Sequence, residues 1–187
     1  MLQQTQVSRV LDYYGPFLEE FPTLADVAQA KPRQVMEAWD GLGYYARARN
    51  LHRLAWQITD GGTATYQTLP ADPKSLRALP GVGAYTAGAV ASFAYEQRAP
   101  LVDTNVARVL TRAFAPRAKF KSAAGNKLVW SVAEQLLPRA GKTVWLHNQA
   151  LMELGALVCT ARVAHCDRCP VRPLCATGTK PHRTGRS

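Results

Sequence analysis

A chain of 187 residues with 23 Lys and Arg against 13 Asp and Glu carries a formal net charge of +10 and a pI near 9.8. Its 47% hydrophobic content is ordinary for a folded domain, which excludes an intrinsically disordered chain. No run approaches the roughly 18 apolar residues of a membrane helix, and Met1–Val7 lacks the basic-then-apolar order of a signal peptide. A cytoplasmic monomer is therefore expected, and its basic excess points to a polyanionic partner, nucleic acid first.

The pattern is helical almost throughout, so the expected class is all-α. Val7, Val10, Leu11, Tyr14, Leu18 and Phe21 recur at three- and four-residue steps and predict one helical face, with a kink or break at Gly15-Pro16. Val35, Met36, Trp39 and Leu42 predict a short helix closed by Gly41 and Gly43. Ala46 to Ile58 reads as a basic amphipathic helix ending at Asp60-Gly61-Gly62, and residues 62–70 as a loop. Asp72-Pro73 is a helix start, with Asp as N-cap and Pro at the first helical position; that helix runs to Leu79. Ala84 to Tyr95 forms a helix whose Ala87, Gly88, Ala89 and Ala91 permit close packing. Asp103 heads a helix through Phe114, and Asn126–Leu137 and Thr143–Val158 supply two more. The polar, basic stretch after Ala176 predicts a disordered tail.

Two features carry chemistry. All four cysteines fall at Cys159-x6-Cys166-x2-Cys169-x5-Cys175, after 158 residues without one. Disulfides would be scattered to join distant loops, so this clustering means metal. One Cys-x2-Cys pair instead of two favours an iron–sulfur centre over a zinc ribbon. A metal centre of this kind can simply fix a loop too small to pack alone, and Arg162 within that loop could meet a DNA backbone. The second feature is Leu79-Pro80-Gly81-Val82-Gly83 between two helices. Its glycines let the chain turn sharply and present bare N–H groups at a helix start, which suits a phosphate. Read alone, it is equally a tight helix–helix turn. Asp103 is read the same way, as the N-cap of its helix.

The stretches MLQQTQV (1–7), WDGLGYYARARNLH (39–52), LPGVGAYTAGAVAS (79–92), VDTNVARVL (102–110) and HNQALMELGALVC (147–159), together with the cysteine cluster, resemble adenine DNA glycosylases of the MutY type. These belong to the endonuclease III-like helix-hairpin-helix glycosylases. The resemblance implies a two-lobed all-α fold: residues 1–118 as a six-helix-type lobe with the hairpin at about 73–95, residues 119–176 as an iron–sulfur lobe, and residues 177–187 as the tail. It implies a [4Fe–4S] cluster on Cys159, Cys166, Cys169 and Cys175, and double-stranded DNA with an adenine mispair as partner. Adenine opposite 8-oxoguanine or guanine would be flipped out and hydrolysed. By the same resemblance Asp103 stabilises the cationic sugar, and Asn105 and Tyr85 surround the sugar and attacking water. Gln4 and Tyr44 wedge into the mispair with Gln3 beside them, Gly81, Val82 and Gly83 hold a phosphate, and Gln149 contacts the adenine edge. Arg47, Arg49 and Arg53 share a helical segment and would meet phosphates. Tyr85 stands where bifunctional relatives carry a Schiff-base lysine, which implies a monofunctional enzyme.

The chain departs from the pattern in three places. The family's general-acid glutamate lies two residues before the Met-Leu-Gln-Gln-Thr-Gln run, and this sequence begins at that Met. A shortened chain is the expectation, ahead of a weakened paralogue or an alternative acid, with an apolar face left uncovered. The family's 8-oxoguanine-reading domain does not follow the cysteines. Thr104 replaces the usual Gly, which leaves room for a thymine or uracil mismatch glycosylase. A non-catalytic mispair-binding module is the remaining alternative.

Overall fold

The computed structural model describes residues 1–60, 68–139 and 141–179. These residues are helical, and the pairing of extended backbone seen among them is an isolated bridge between Cys159 and Ala164. No helix among them is long and apolar enough to cross a membrane. The stretch 61–67 of the expected loop, and the tail from residue 180, lie outside the described residues. Two units separate: Met1–Pro70 with Lys74–Val82, and Ala71–Pro73 with Gly83–Ser187. The division thus falls inside the glycine hairpin and does not coincide with the expected boundary after residue 118. The reason is packing: helices on both sides of residue 118 share one core.

In the first unit, α1 (Val7–Glu20) runs without a break through Pro16. Proline removes one amide donor and crowds the carbonyl four residues back, here Asp12. Asp12 and Pro16 are both exposed, so the proline sits on the solvent side of the helix, and one continuous helix is what lets Val10 and Phe17 bury together. The buried face is Val10, Phe17 and, just past the helix, Phe21, while Val7, Leu11, Tyr14 and Leu18 of the expected stripe are exposed. Phe17 packs on Phe21 at 5.0 Å between ring centroids and edge-on against Trp39 at 5.9 Å.

α2 (Leu24–Gln29) was not foreseen from its apolar pattern, yet Thr23 and Asp26 form a reciprocal capping box that starts it. α3 (Pro32–Glu37) is shorter than expected. Trp39 and Leu42 lie beyond it in an irregular turn and still enter the core with Val27, Val35, Ala48 and Ala55. α4 (Ala46–Ile58) has the expected bounds and packs on α2 and α3. α5 (Pro73–Arg77) ends two residues before Leu79.

The second unit holds α6 (Ala84–Tyr95), α7 (Thr104–Phe114), α8 (Ala123–Leu136) and α9 (Lys142–Glu153). Asp103 caps α7, its Oδ1 accepting from Val106 N at 2.7 Å, and Ser122 caps α8, which starts three residues before the expected Asn126. Leu101, Val106, Leu110 and Val129 bury together where α7 meets α8. The small residues of α6 do pack closely, because a Cβ on Gly88 would fall on the Pro100 carbonyl. α9 ends at Glu153, and a π-helical turn, Leu154–Val158, continues to Cys159.

Asn148 is buried and donates through Nδ2 to Ser92 Oγ at 2.9 Å and to the Ala99 carbonyl at 3.0 Å, tying α9 to α6 and its exit loop. Asn148→Ala leaves both acceptors unpaired in the interior. A loss of about 1–3 kcal/mol is expected, read as a lower urea midpoint with unchanged slope. Its neighbour His147 is half-buried, and burial holds its pKa below the ordinary value, with Nε2 lacking a partner. The folded chain therefore takes up this proton later than the unfolded chain as pH falls. The contribution is complete above the unfolded pKa of about 6.5 and declines as pH drops toward the folded value. His147→Phe should reduce the fall in urea midpoint between about pH 7 and about pH 5.5; an unchanged fall would assign that dependence to other groups.

Candidate functional site

The C-terminal unit gathers the chemistry-bearing residues around α7. Asn105 Nδ2 donates to Asp103 Oδ2 at 3.2 Å, while the other carboxylate oxygen is occupied by the cap to Val106 N. Asn105 Oδ1 accepts from Arg108 Nη2 at 2.8 Å, which leaves the amide nitrogen turned to Asp103. The same guanidinium donates to the Gly155 carbonyl and, through Nε, to the Cys159 carbonyl at 2.7 Å. Gly155 sits on Asn105: a Cβ there would lie 2.8 Å from Asn105 Cβ and 2.9 Å from its backbone carbonyl. One arginine, absent from the residues singled out by sequence, thus joins the aspartate to the first cysteine. Its i+3 spacing from Asn105 was the only available hint.

Tyr85, in the first turn of α6, packs against the α7–α8 core. Burial, and then the negative charge of Asp103, raise its pKa above the ordinary phenol value. It is a neutral O–H group at physiological pH, and no amine stands in its place. Gln149 is half-buried on α9 and donates to Glu153 Oε1 at 2.8 Å. Thr104 is exposed at the first position of α7.

The four cysteines are half-buried and all line one cavity of about 520 Å³. Its wall is otherwise largely apolar, with Val109, Ala113, Leu154, Val158 and Val171. Among the described residues no three His, Cys, Asp or Glu side chains converge tightly enough to hold a single ion. A four-iron cluster needs four thiolates, one for each iron, and four cysteines line this cavity.

Donors to sulfur are in place. Arg112 Nη1 lies 3.3 Å from Cys159 Sγ, and Gly178 N lies 3.2 Å from Cys175 Sγ. Burial pushes the Cys175 thiol up, but hydrogen bonds from Thr177 and Gly178 and the Arg112 charge outweigh it and leave the pKa lowered. The chain's donor set, apolar wall and N–H to sulfur bonds fit such a cluster. Arg112 also donates to the Thr160 carbonyl at 2.8 Å, and the Ala113 carbonyl accepts from Ala176 N, so α7 straps both ends of the cysteine segment. His165 and Arg162 line the cavity as well, and Arg162 is exposed.

The first unit carries the remaining candidates. Gln3, Gln4, Tyr44 and Arg49 are exposed. Gln4 and Tyr44 adopt left-handed backbone at φ 57° and 51°. Arg47 departs from expectation. Its guanidinium is turned inward onto main-chain carbonyls at Met1, Gln3, Leu42 and Gly43, so it is spent on the fold and not held out for a phosphate. In the hairpin, Val82 N closes a turn onto the Leu79 carbonyl at 3.2 Å. Gly81 has φ 75°, and a Cβ there would sit 2.7 Å from Asn50 Cβ, so both conformation and space demand glycine. Gly83 is the N-cap of α6, and no side chain caps that helix.

Comparison with known proteins adds the following. Residues 1–135 match the model of the HhH-GPD superfamily base excision DNA repair protein. The chain is 45% identical over 179 residues to an adenine DNA glycosylase of Rattus norvegicus, covering 94% of this chain and 33% of that protein. It is 45% identical over 171 residues to an adenine DNA glycosylase of Mycolicibacterium smegmatis, covering 91% and 56%. The chain therefore spans about a third of the mammalian relative and about half of the mycobacterial one. Among solved structures it resembles a thermostable thymine-DNA glycosylase, with a TM-score of 0.81 and 27% identity over 95% of this chain and 79% of that one. A trapped endonuclease III–DNA covalent intermediate gives a TM-score of 0.75 and 26% identity over the same shares. With the family model matching most of its length, this chain belongs to the HhH-GPD superfamily of base excision DNA repair proteins.

Proposed function

We propose that this chain is the glycosylase portion of an enzyme that removes adenine mispaired with 8-oxoguanine or guanine from double-stranded DNA, by base flipping and monofunctional hydrolysis. The observation that carries the reading is the Asp103–Asn105–Arg108 network beside a tyrosine where a lyase needs an amine. Breaking an N-glycosidic bond builds positive charge on the sugar, and a fixed carboxylate offsets that charge as it develops. Asp103 is held for this by two donors, and Asn105 cannot rotate away because Arg108 occupies its oxygen. Tyr85, kept neutral, can hydrogen-bond to the sugar or to the attacking water and cannot form a Schiff base. Gln149 has an amide suited to the adenine edge.

The leaving adenine needs a proton, and the resemblance assigns that task to a glutamate two residues before the position of Met1. The base-excision reading also explains the hairpin. Gly81, in the turn that Val82 N closes onto the Leu79 carbonyl, and the uncapped start of α6 at Gly83 offer main-chain N–H groups to a phosphate. Arg49 and Arg162 are exposed cations free to add backbone contacts. Cys159, Cys166, Cys169 and Cys175 would hold a [4Fe–4S] cluster, which when bound supplies four iron–thiolate bonds that lock the segment strapped to α7. A second reading, thymine or uracil removal, draws on Thr104 and on the likeness to the thymine-DNA glycosylase structure.

Two experiments test these assignments. The chain and a version restoring the upstream glutamate are each incubated with duplexes holding A:8-oxoguanine, A:G, G:T and G:U. Adenine release by the restored version is expected, with Asp103→Asn lowering it by about a hundredfold or more. No adenine release from either protein would end the adenine assignment, and thymine or uracil release would replace it. For the cysteines, about four iron per chain and a broad absorbance band near about 400 nm are expected, both lost in Cys166→Ser. Stoichiometric zinc in a colourless protein would overturn the iron–sulfur assignment.

A further inference from the structure

We infer that Arg47 is a positioning residue that sets the two exposed probes of the first unit, Gln4 and Tyr44, in a single fixed geometry for prying a base from the duplex. This rests on the base-flipping reading above and adds a residue with a role distinct from phosphate binding.

The geometry lies wholly within the first unit. Two irregular stretches, residues 1–6 and 38–45, each place a non-glycine residue in the left-handed region: Gln4 at φ 57° and Tyr44 at φ 51°. Such backbone costs roughly 1–3 kcal/mol per residue and persists only where surroundings impose it. Both residues are exposed, Tyr44 at 62%, so core burial of their side chains does not repay the strain. The imposing group is Arg47. Its Nη1 donates to the carbonyls of Met1, at 2.6 Å, and of Gln3; its Nη2 donates to those of Leu42 at 3.1 Å and Gly43 at 3.2 Å. The carbonyl directly before each left-handed residue is therefore held by the same planar cation. That plane is itself fixed, with its carbon 5.4 Å from the centroid of buried Trp39 and 5.5 Å from that of Tyr44.

The turn is gripped from its other side too. Arg9 on α1 donates to the Gly41 carbonyl at 2.7 Å, so three successive carbonyls, 41 to 43, accept from arginine. The Tyr45 hydroxyl and Gly41 N both donate to Asp40 and close the base of the turn. What remains outward is an aromatic ring and a carboxamide with little rotational freedom in their backbone. A flat ring entering a base stack must arrive in one orientation, so rigidity here lowers the cost of insertion. Lysine could not replace this arginine, since a single ammonium cannot span four carbonyls on two segments.

The two roles open to Arg47 predict different readouts. A phosphate contact strengthens binding to every duplex alike, whereas a positioning group affects extrusion and mispair preference. Arg47→Lys, Tyr44→Ala and the double variant are compared with the unmodified chain for affinity to a matched duplex and to one with 2-aminopurine opposite 8-oxoguanine. Extrusion is read from the fluorescence rise of the 2-aminopurine. Arg47→Lys should bind matched DNA within about twofold of the parent while losing about tenfold in mispair preference, together with most of the fluorescence rise. The double variant should lose clearly less than the sum of the two single losses, because Arg47 acts in part through the Tyr44 ring.

Equal weakening on all duplexes, or additive losses in the double variant, would overturn the inference. Should Arg47→Lys not fold, as judged by circular dichroism, Arg9→Gln frees only the Gly41 carbonyl. It should still reduce the fluorescence rise by about threefold with matched-duplex affinity intact, and an unchanged rise overturns the inference. A parent chain that binds the duplexes without any fluorescence rise defeats the base-flipping reading itself, and the positioning role with it. A parent rise that persists in the variants defeats the positioning role alone.

Discussion

The C-terminal unit depends on one guanidinium. Arg108 leaves the inner side of α7 and meets, within a few ångströms, the amide that fixes Asp103 and the carbonyls of Gly155 and Cys159. An arginine can do this because its five donors are arranged in a rigid plane and its charge persists at every working pH. The contact requires α7 and the π-helical turn to lie against each other. Only a residue without a side chain at position 155 permits that approach. A π-turn lifts backbone carbonyls out of the regular helical ladder, which makes them available to an outside donor. Geometry at the carboxylate and geometry at the cysteine cavity are consequently one problem with one solution.

The same use of arginine recurs across the molecule. Arg9, Arg47, Arg98, Arg112, Arg168 and Arg172 all donate to main-chain carbonyls of irregular segments. Arg33 and Arg98 pair with Glu37 and Glu134. The formal charge of +10 therefore overstates the number of cations available to a ligand. It also hides an asymmetry. The stretches assigned to the first unit hold 8 basic and 7 acidic residues, whereas those of the second hold 15 and 6. The excess positive charge thus belongs mainly to the unit with the cysteines, and the first unit is nearly neutral.

Where local chemistry decides structure, the residues announced it. The bounds of α4, the Asp103 cap, the close-packed small residues of α6 and the clustering of the cysteines follow from periodicity, capping and spacing. Where tertiary contacts decide, pattern was insufficient. Pro16 predicts a kink or a break because its cost is local, whereas the gain from burying Val10 and Phe17 together, which keeps the helix continuous, is not. Trp39 and Leu42 fit a helical period but are buried from a turn. Thr23 and Asp26 did carry a legible signal for α2, in the form of their capping box. Arg47 and Arg108 were opaque for a shared reason. Most of their partners are main-chain carbonyls, and nothing in a side-chain sequence marks where such carbonyls will lie.

The strap across the cysteine segment has a consequence for how the chain is made. Ala176 N bonds to the Ala113 carbonyl, and Thr177 Oγ1 to that of Arg112, pairing residues more than sixty apart. The first unit draws only on residues up to Val82, so all of its residues are synthesised before α6 begins. The end of α7 must wait for Ala176 and Thr177 before its last carbonyls gain these partners. Synthesis therefore imposes an order in which the unit drawn from residues up to Val82 can mature first and the cysteine-bearing unit closes last.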